Sequence, residues 1–271
     1  MRYWSYIINL PEWIYQAWPP LRQRFKPRDA DLTVDEAAYY LTELYQPEVL
    51  EKLLTEFAKH YPGRKSAAIV SQWSMNYMSV CLPSCLIPVV ALQRGVRIWQ
   101  EPVSFVVSDD MPQSLWLVGQ EEQIPREHLH QYYHDLLDLH LGQLFPVLAR
   151  VGRVSDKMLW SNCALIWDYL FYRLSATPEL TSVAEDAMSW WYQTKLAESQ
   201  ISLDYFLSLV DSPVPEIRPQ LPLRSHCCLH FRLHDRVKGQ MDVLCESCPK
   251  LHRKPLEQQI RYLNEIYEDC D

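Results

Sequence analysis

Glycine is scarce in this sequence, which has only 6 glycines among 271 residues. No two of them lie close enough together to form a GxGxxG turn or a Walker loop. Those turns need glycine because the backbone must approach the phosphate groups closely. We therefore predict that the chain has no dinucleotide-binding turn and no nucleotide-binding loop of these types.

A basic charge balance and a long apolar run are also missing. The 26 Lys and Arg residues against 34 Asp and Glu give a formal net charge of −8, which argues against a nucleic-acid partner. The N-terminus has no continuous apolar stretch of the kind found in signal peptides. The most apolar run, 80–92, contains two prolines and is too short to span a bilayer. We predict a cytoplasmic protein, with at most peripheral contact at the inner face of the membrane.

Aromatic residues, by contrast, are abundant. The chain has 10 Trp, 16 Tyr and 7 Phe, which is more apolar surface than a disordered chain leaves in water. Apolar residues recur at helical spacing through most of the first 200 positions, whereas 96–107 and 114–118 are rich in β-formers. The predicted fold class is α+β, with a predominantly helical body and a small antiparallel hairpin. Helices are predicted over 33–46, 47–63, 65–94, 126–150, 156–174 and 178–196.

Composition divides the chain into three parts. We predict a mainly helical domain over 1–210, with its antiparallel strands near 96–118. The segment 211–222 (DSPVPEIRPQLP) is rich in proline and is predicted to be a linker. The remaining residues, 223–271, form a cysteine-rich C-terminal segment. Between positions 223 and 254 this segment has seven basic and three acidic residues, so it is positive in a negative chain.

Four of the eight cysteines form a motif near the C-terminus. Cys227 and Cys228 are adjacent, and sixteen residues separate them from the CxxC pair Cys245 and Cys248. Without a secretion signal, clustered cysteines indicate metal ligands before disulfides. The CxxC spacing lets two thiolates converge, and an all-thiolate set suits both zinc and iron–sulfur clusters. Spacing alone therefore leaves both alternatives open.

The other cysteines and the histidines are given structural roles. Three further cysteines lie in apolar helical patterns and are predicted to be buried packing residues: Cys81, Cys85 and Cys163. Three histidines bracket the cysteine pair: His226, His230 and His234. They are either ligands or residues that lie beside the ligands or face solvent, and the second alternative is favoured. Four more are assigned to the solvated face of an acidic helix: His128, His130, His134 and His140.

The CC…CxxC ending resembles the FhuF-like ferric siderophore reductases, whose C-terminal cysteines hold a [2Fe–2S] cluster. The segment GRVSDKMLWSNCALIWDYL is similar to a helix of that family, with Lys157, Trp160, Ser161 and Asn162 in matching places. The run CCLHFRL also matches, through Phe231 and Arg232. The likeness covers roughly 65–250. One departure is the insert between the two cysteine pairs, which is longer than the family pattern.

The resemblance implies a function and a set of site residues. It implies one-electron reduction of a ferric hydroxamate siderophore, which releases Fe²⁺, by a [2Fe–2S] cluster on Cys227, Cys228, Cys245 and Cys248. Because no nucleotide signature is present, the electron should come from an external donor such as ferredoxin, flavodoxin or their reductase. The candidates for substrate or partner docking are Trp160, Asn162, Arg232, Arg236 and Lys238. The alternative is a non-catalytic, siderophore-related binding protein with a structural zinc at the same cysteines.

Overall fold

Helices make up most of the computed structural model, which describes residues 36–100, 103–116, 122–197, 201–216, 218–235 and 242–268. A π-helical stretch, Leu136–Leu141, lies between the helices Leu129–Asp135 and Gly142–Gly152. The helices are α1 (Pro47–Phe57), α2 (Ser66–Leu92), α3 (Leu129–Asp135), α4 (Gly142–Gly152), α5 (Asp156–Ser175), α6 (Thr181–Gln193) and α7 (Leu256–Glu268). Together with small antiparallel sheets, they confirm the predicted α+β class.

Helix α2 is the centre of the main core. It is apolar on all sides, and most of its side chains are buried against α5 and the neighbouring strands. Pro83 and Pro88 both lie inside this helix. Within the described residues it is the one helix long and apolar enough to cross a bilayer, and 72% of its most apolar window is buried in the protein. Its close contact with α4 requires glycine, because a Cβ on Gly152 would lie 2.6 Å from a Val70 methyl.

A three-stranded antiparallel sheet covers part of this core. Its strands are β1 (Glu36–Tyr40), β3 (Ser104–Ser108) and β4 (Met111–Trp116), in the order β1-β3-β4. The predicted hairpin is therefore present, and Asp109 and Asp110 form its two-residue turn with φ of 49° and 57°. The helix predicted over 33–46 is wrong where the structure describes it. Strand β1 and a 3₁₀ helix, Leu41–Tyr45, occupy that segment because pairing with β3 overrides the local helical spacing.

Two further strand pairs lie in the part of the chain that the structure describes. Strands β2 (Arg94–Gly95) and β5 (Glu122–Gln123) form a short antiparallel pair. Strands β6 (Leu207–Asp211) and β7 (Gln220–Arg224) form a second hairpin.

The segment predicted as a proline-rich linker, 211–222, is instead the end, loop and start of the β6–β7 hairpin. Pro222 is tolerated in β7 because the sheet has only two strands, so each has a free edge. Val214 in the loop is buried, and Arg218 forms an ion pair with Asp168 of α5. The proline content therefore shapes a packed loop rather than a flexible spacer.

Candidate cysteine centre

Strand β7 leads into the first cysteine pair, Cys227 and Cys228. The strand ends at Arg224, and the chain then turns through Ser225 and His226 into Cys227 and Cys228. Leu229 adopts a left-handed conformation with φ of 61°, after which a short 3₁₀ helix begins. The backbone amide of Leu229 also points at the Cys227 thiol, with an N–Sγ distance of 3.4 Å.

The CxxC pair lies on a tight turn beside the end of β7. The Cys248 amide donates to the Cys245 carbonyl at 3.0 Å, which closes the turn. The Arg224 amide donates to the Ser247 carbonyl at 3.1 Å and so joins the turn to the strand. A small core packs beneath the turn, and it includes Leu221, Leu251 and Leu263. These contacts bring together two cysteine pairs that are far apart in sequence.

The four thiols contact one another. The Sγ atoms of Cys228 and Cys245, one from each pair, are 3.7 Å apart. Hydrogen bonds from Cys228, Cys248 and the Leu229 amide lower the pKa of Cys227. Cys248 is hydrogen-bonded to Cys227 and Cys245, and these bonds raise its pKa. Cys228 and Cys248 are buried, whereas Cys227 and Cys245 are partly exposed, so one side of the group faces solvent.

The four thiols lie close together, but they do not point toward a common centre at which a metal ion could bind. Across the described ranges, no group of three or more His, Cys, Asp or Glu side chains is placed to hold a metal ion as the side chains stand. Turning the thiols from one another toward a common centre requires rotation about their Cα–Cβ bonds. The donor chemistry fits a soft metal centre, because four thiols suit either zinc or an iron–sulfur cluster.

Arg224 is one of the seven basic residues between positions 223 and 254, and the structure places it inside this centre rather than on a docking surface. Its side chain is 1% exposed. Its Nη2 donates to Cys228 Sγ at 2.9 Å and to Cys245 Sγ at 2.7 Å. Burial lowers the pKa of Arg224, but the nearby Cys228 and Cys245 outweigh burial and the net pKa is raised. The guanidinium therefore stays charged against the two thiols.

Asn162 connects this arginine to the helical body. Its Oδ1 accepts a 2.7 Å hydrogen bond from Arg224 Nη1, and its Nδ2 lies 3.0 Å from the hydroxyls of both Ser71 and Ser74. Asn162 is completely buried. It therefore does not reach solvent, and its predicted role in substrate or partner docking is replaced by contact with Arg224.

No protein-family model matches this chain, and no curated protein matches it. The likeness to ferric siderophore reductases therefore remains a hypothesis supported by the quoted motifs.

The other predicted docking residues lie in different places. Trp160 lines a cavity of about 320 Å³ beside α4 and α5. Arg232 is exposed on the 3₁₀ helix that follows the cysteine pair. Arg236 and Lys238 lie outside the described residues.

Two of the three histidines near the cysteine pair contact helices of the main body, and the third contacts one of these two. His226 Nδ1 lies 3.4 Å from the Ser161 hydroxyl, and His230 Nδ1 lies 3.1 Å from Gln72 Oε1. His234 and His230 approach each other at 3.0 Å between their Nε2 atoms. Burial lowers the pKa of His226 and of His230, which favours neutral rings at neutral pH. The contacts place two of these rings against α2 and α5, and the role of the histidines beside a metal site stays a prediction.

A second polar cluster lies inside the main core. His140, predicted on a solvated face, is completely buried, and its two ring nitrogens contact the hydroxyls of Tyr45 at 2.8 Å and Tyr77 at 2.6 Å. Helical spacing accounts for this burial, because His140 lies four residues after Leu136 and four before Leu144, on the apolar face of the segment. Hydrogen bonds from Cys85 and His140 lower the pKa of the buried Cys81. Cys81 and Cys85 are buried as predicted, but they pack within a polar network.

Proposed function

We propose that this protein is a cytoplasmic ferric siderophore reductase that holds a [2Fe–2S] cluster on Cys227, Cys228, Cys245 and Cys248. The observation that carries the proposal is the meeting of the two cysteine pairs, with the Cys228 and Cys245 sulfurs 3.7 Å apart beside a buried guanidinium. Four cysteine thiolates are the usual ligand set of such a cluster. The sequence motifs that resemble the reductase family supply the reaction.

The chemistry needs one electron and no proton transfer. Ferric hydroxamates hold Fe³⁺ through hard oxygen donors and hold Fe²⁺ much more weakly, so reduction releases the metal. When bound, a [2Fe–2S] cluster supplies electrons one at a time, which matches this step. Cys227 and Cys245 are partly exposed, so this side of the centre is open to an electron donor and to a chelate.

An apolar cavity next to the cysteine segment is the proposed substrate pocket. Its wall includes Trp160 and Phe206, and its volume of about 320 Å³ is within the range of small-molecule sites. Phe206 is directly connected to the centre, because its carbonyl accepts hydrogen bonds from the Ser161 hydroxyl at 3.0 Å and from the Ser225 amide at 3.2 Å. Ser225 lies two residues before Cys227. A ligand in the cavity would therefore lie near the cysteine segment.

The exposed surface around the centre is basic, and we propose it as the site for the electron donor. Arg232, Lys250, Arg253 and Lys254 are all exposed there. Lys250 also lies over the Phe231 ring, 3.5 Å from its centroid. A positive surface steers an acidic partner such as ferredoxin or flavodoxin, and this attraction weakens with salt.

The deciding experiment is anaerobic spectroscopy followed by electron transfer. We expect the purified protein to be red-brown, to contain iron and acid-labile sulfide in equal amounts, and to give an EPR signal after dithionite reduction. Reduced protein mixed with a ferric hydroxamate should return to the oxidised spectrum as a ferrous-specific chelator captures Fe²⁺. A colourless protein that contains zinc and no acid-labile sulfide would favour the alternative, a non-catalytic binding protein with a structural zinc. A cluster that is not reoxidised by ferric hydroxamates would rule out the reductase activity.

Filling the cavity should impair substrate binding without disturbing the centre. Gly142 lines the cavity and has room for a side chain, because an added Cβ would meet only the Leu137 carbonyl oxygen, at 3.4 Å. We expect Gly142→Leu to raise the KM for a ferric hydroxamate about tenfold with little change in kcat, because the lost pocket volume weakens ground-state and transition-state binding alike. Gly142→Ala is the matched control. Equal KM values for the two variants would show that the substrate does not use this cavity.

A further inference from the structure

We propose that Arg224 sets the reduction potential of the thiolate-held cluster and that Asn162 is the residue that positions it. This inference rests on the proposed function, because it concerns the cluster that the four cysteines are proposed to hold. Arg224 belongs to neither cysteine pair. It is the last residue of β7, three positions before Cys227.

The geometry of Arg224 links both cysteine pairs through one nitrogen. Nη2 donates to Cys228 Sγ of the adjacent pair and to Cys245 Sγ of the CxxC pair, at 2.9 and 2.7 Å. The other terminal nitrogen, Nη1, donates to Asn162 Oδ1 at 2.7 Å. A planar guanidinium makes these bonds in one fixed orientation, which the single nitrogen of lysine does not reproduce.

Asn162 holds that orientation from the helical body. Its amide nitrogen faces the hydroxyls of Ser71 and Ser74 on α2, so its oxygen is directed at Arg224. Ser74 is fixed in turn, because its hydroxyl donates to the Ser71 carbonyl at 2.7 Å. The four side chains that form these contacts are all buried: Ser71, Ser74, Asn162 and Arg224. The cation therefore has a defined position relative to the sulfurs.

The positive charge of Arg224 and its hydrogen bonds to the sulfurs should both raise the reduction potential. One-electron reduction adds a negative charge to a cluster, and a cation held close by in a low-dielectric interior favours the more negative state. Hydrogen bonds to ligand sulfurs also stabilise the reduced state. Arg224 supplies both effects, so its loss should lower the potential. An exposed cation has a weaker effect because water and salt screen its charge.

The test compares the reduction potentials of variants by EPR-monitored anaerobic titration, with iron and sulfide content measured on each sample. We expect Arg224→Gln to lower the equilibrium constant for cluster reduction at least about tenfold, which is about 59 mV for one electron. Arg224→Lys should give an intermediate equilibrium constant, because lysine keeps the positive charge but has a single nitrogen in place of the planar guanidinium. Arg232→Gln is the matched control, since it removes an exposed positive charge from the same segment and should change the constant by less than about twofold.

Asn162→Asp provides a second test of the inference if the Arg224→Gln variant does not bind a cluster. Asn162→Asp has the same shape, and its carboxylate can accept from Arg224 and from the rotated serine hydroxyls. It should lower the potential because it neutralises the guanidinium without displacing it. If Arg224→Gln, or Asn162→Asp in its place, has the same potential as Arg232→Gln, the inference is overturned. A wild-type protein without a cluster overturns both proposals, whereas a cluster that fails to reduce ferric hydroxamates removes only the reductase function.

Discussion

Replacing Cys245 with alanine is expected to remove the proposed cluster and its colour while the helical body stays folded. Cys245 Sγ lies 3.7 Å from Cys228 Sγ and accepts a hydrogen bond from Arg224, so its loss leaves three thiols and an incomplete ligand set. The residue is partly exposed and lies outside the main core, so the main cost to the folded apoprotein is the lost hydrogen bond to the buried, charged Arg224, about 1.5 to 3 kcal/mol. Iron and sulfide analysis, visible absorption and far-UV circular dichroism measure these effects together.

The matched control is Cys163→Ala. Cys163 is completely buried in α5, and burial raises its pKa, so it stays a neutral packing thiol. This variant should keep the iron, sulfide and spectrum of the wild type. A normal cluster in Cys245→Ala, or a lost cluster in Cys163→Ala, would contradict the assignment of the ligands.

The cysteine motif was accessible from the sequence because adjacency and CxxC spacing are local patterns. Arg224 was not, because its role depends on where β7 ends relative to the CxxC turn, and residues far apart in sequence determine that. Asn162 was noticed, but only burial and its contacts with Arg224 and two serines assign it a positioning role. The residues that form these contacts come from three separate segments of the chain, so no local sequence pattern indicates the role of Asn162.

The fold class followed from helical periodicity and composition, whereas the exceptions involve tertiary pairing. β1 forms because β3 provides a partner, and the proline-rich segment 211–222 becomes part of a hairpin because its loop packs against α5. In both cases a long-range contact overrides the local pattern. His140 is different, because it lies with Leu136 and Leu144 on the apolar face of its helical segment and was assigned to the wrong face.

Replacing Arg218 with methionine should cause a large, pH-dependent loss of stability. Arg218 Nη2 lies 2.7 Å from Asp168 Oδ2, and the two side chains are only 9% and 5% exposed. Burial raises the pKa of Asp168, and Arg218 opposes that effect. Without the cation, a buried carboxylate is left unpaired, so we expect a loss of about 3 to 5 kcal/mol in the free energy of unfolding.

The sign of the pH dependence follows from linkage. Removal of Arg218 should raise the folded-state pKa of Asp168 further above its unfolded value of about 3.9. Between the two pKa values the native state binds more protons than the unfolded state, so stability falls as pH rises through the folded-state pKa. Urea unfolding should therefore show a larger loss at pH 8 than at pH 5. An equal loss at both pH values would show that the Asp168 charge is not its source.

The control for this prediction is the double variant Arg218→Met with Asp168→Asn, which removes the unpaired charge and should recover much of the lost stability at pH 8. The hairpin loop that carries Arg218 precedes the strand that delivers Arg224 and the first cysteine pair. Loss of the ion pair should therefore also loosen the cysteine centre. We expect the single variant to hold less iron than the double variant, because anchoring of the β6–β7 hairpin on α5 positions two of the four proposed ligands.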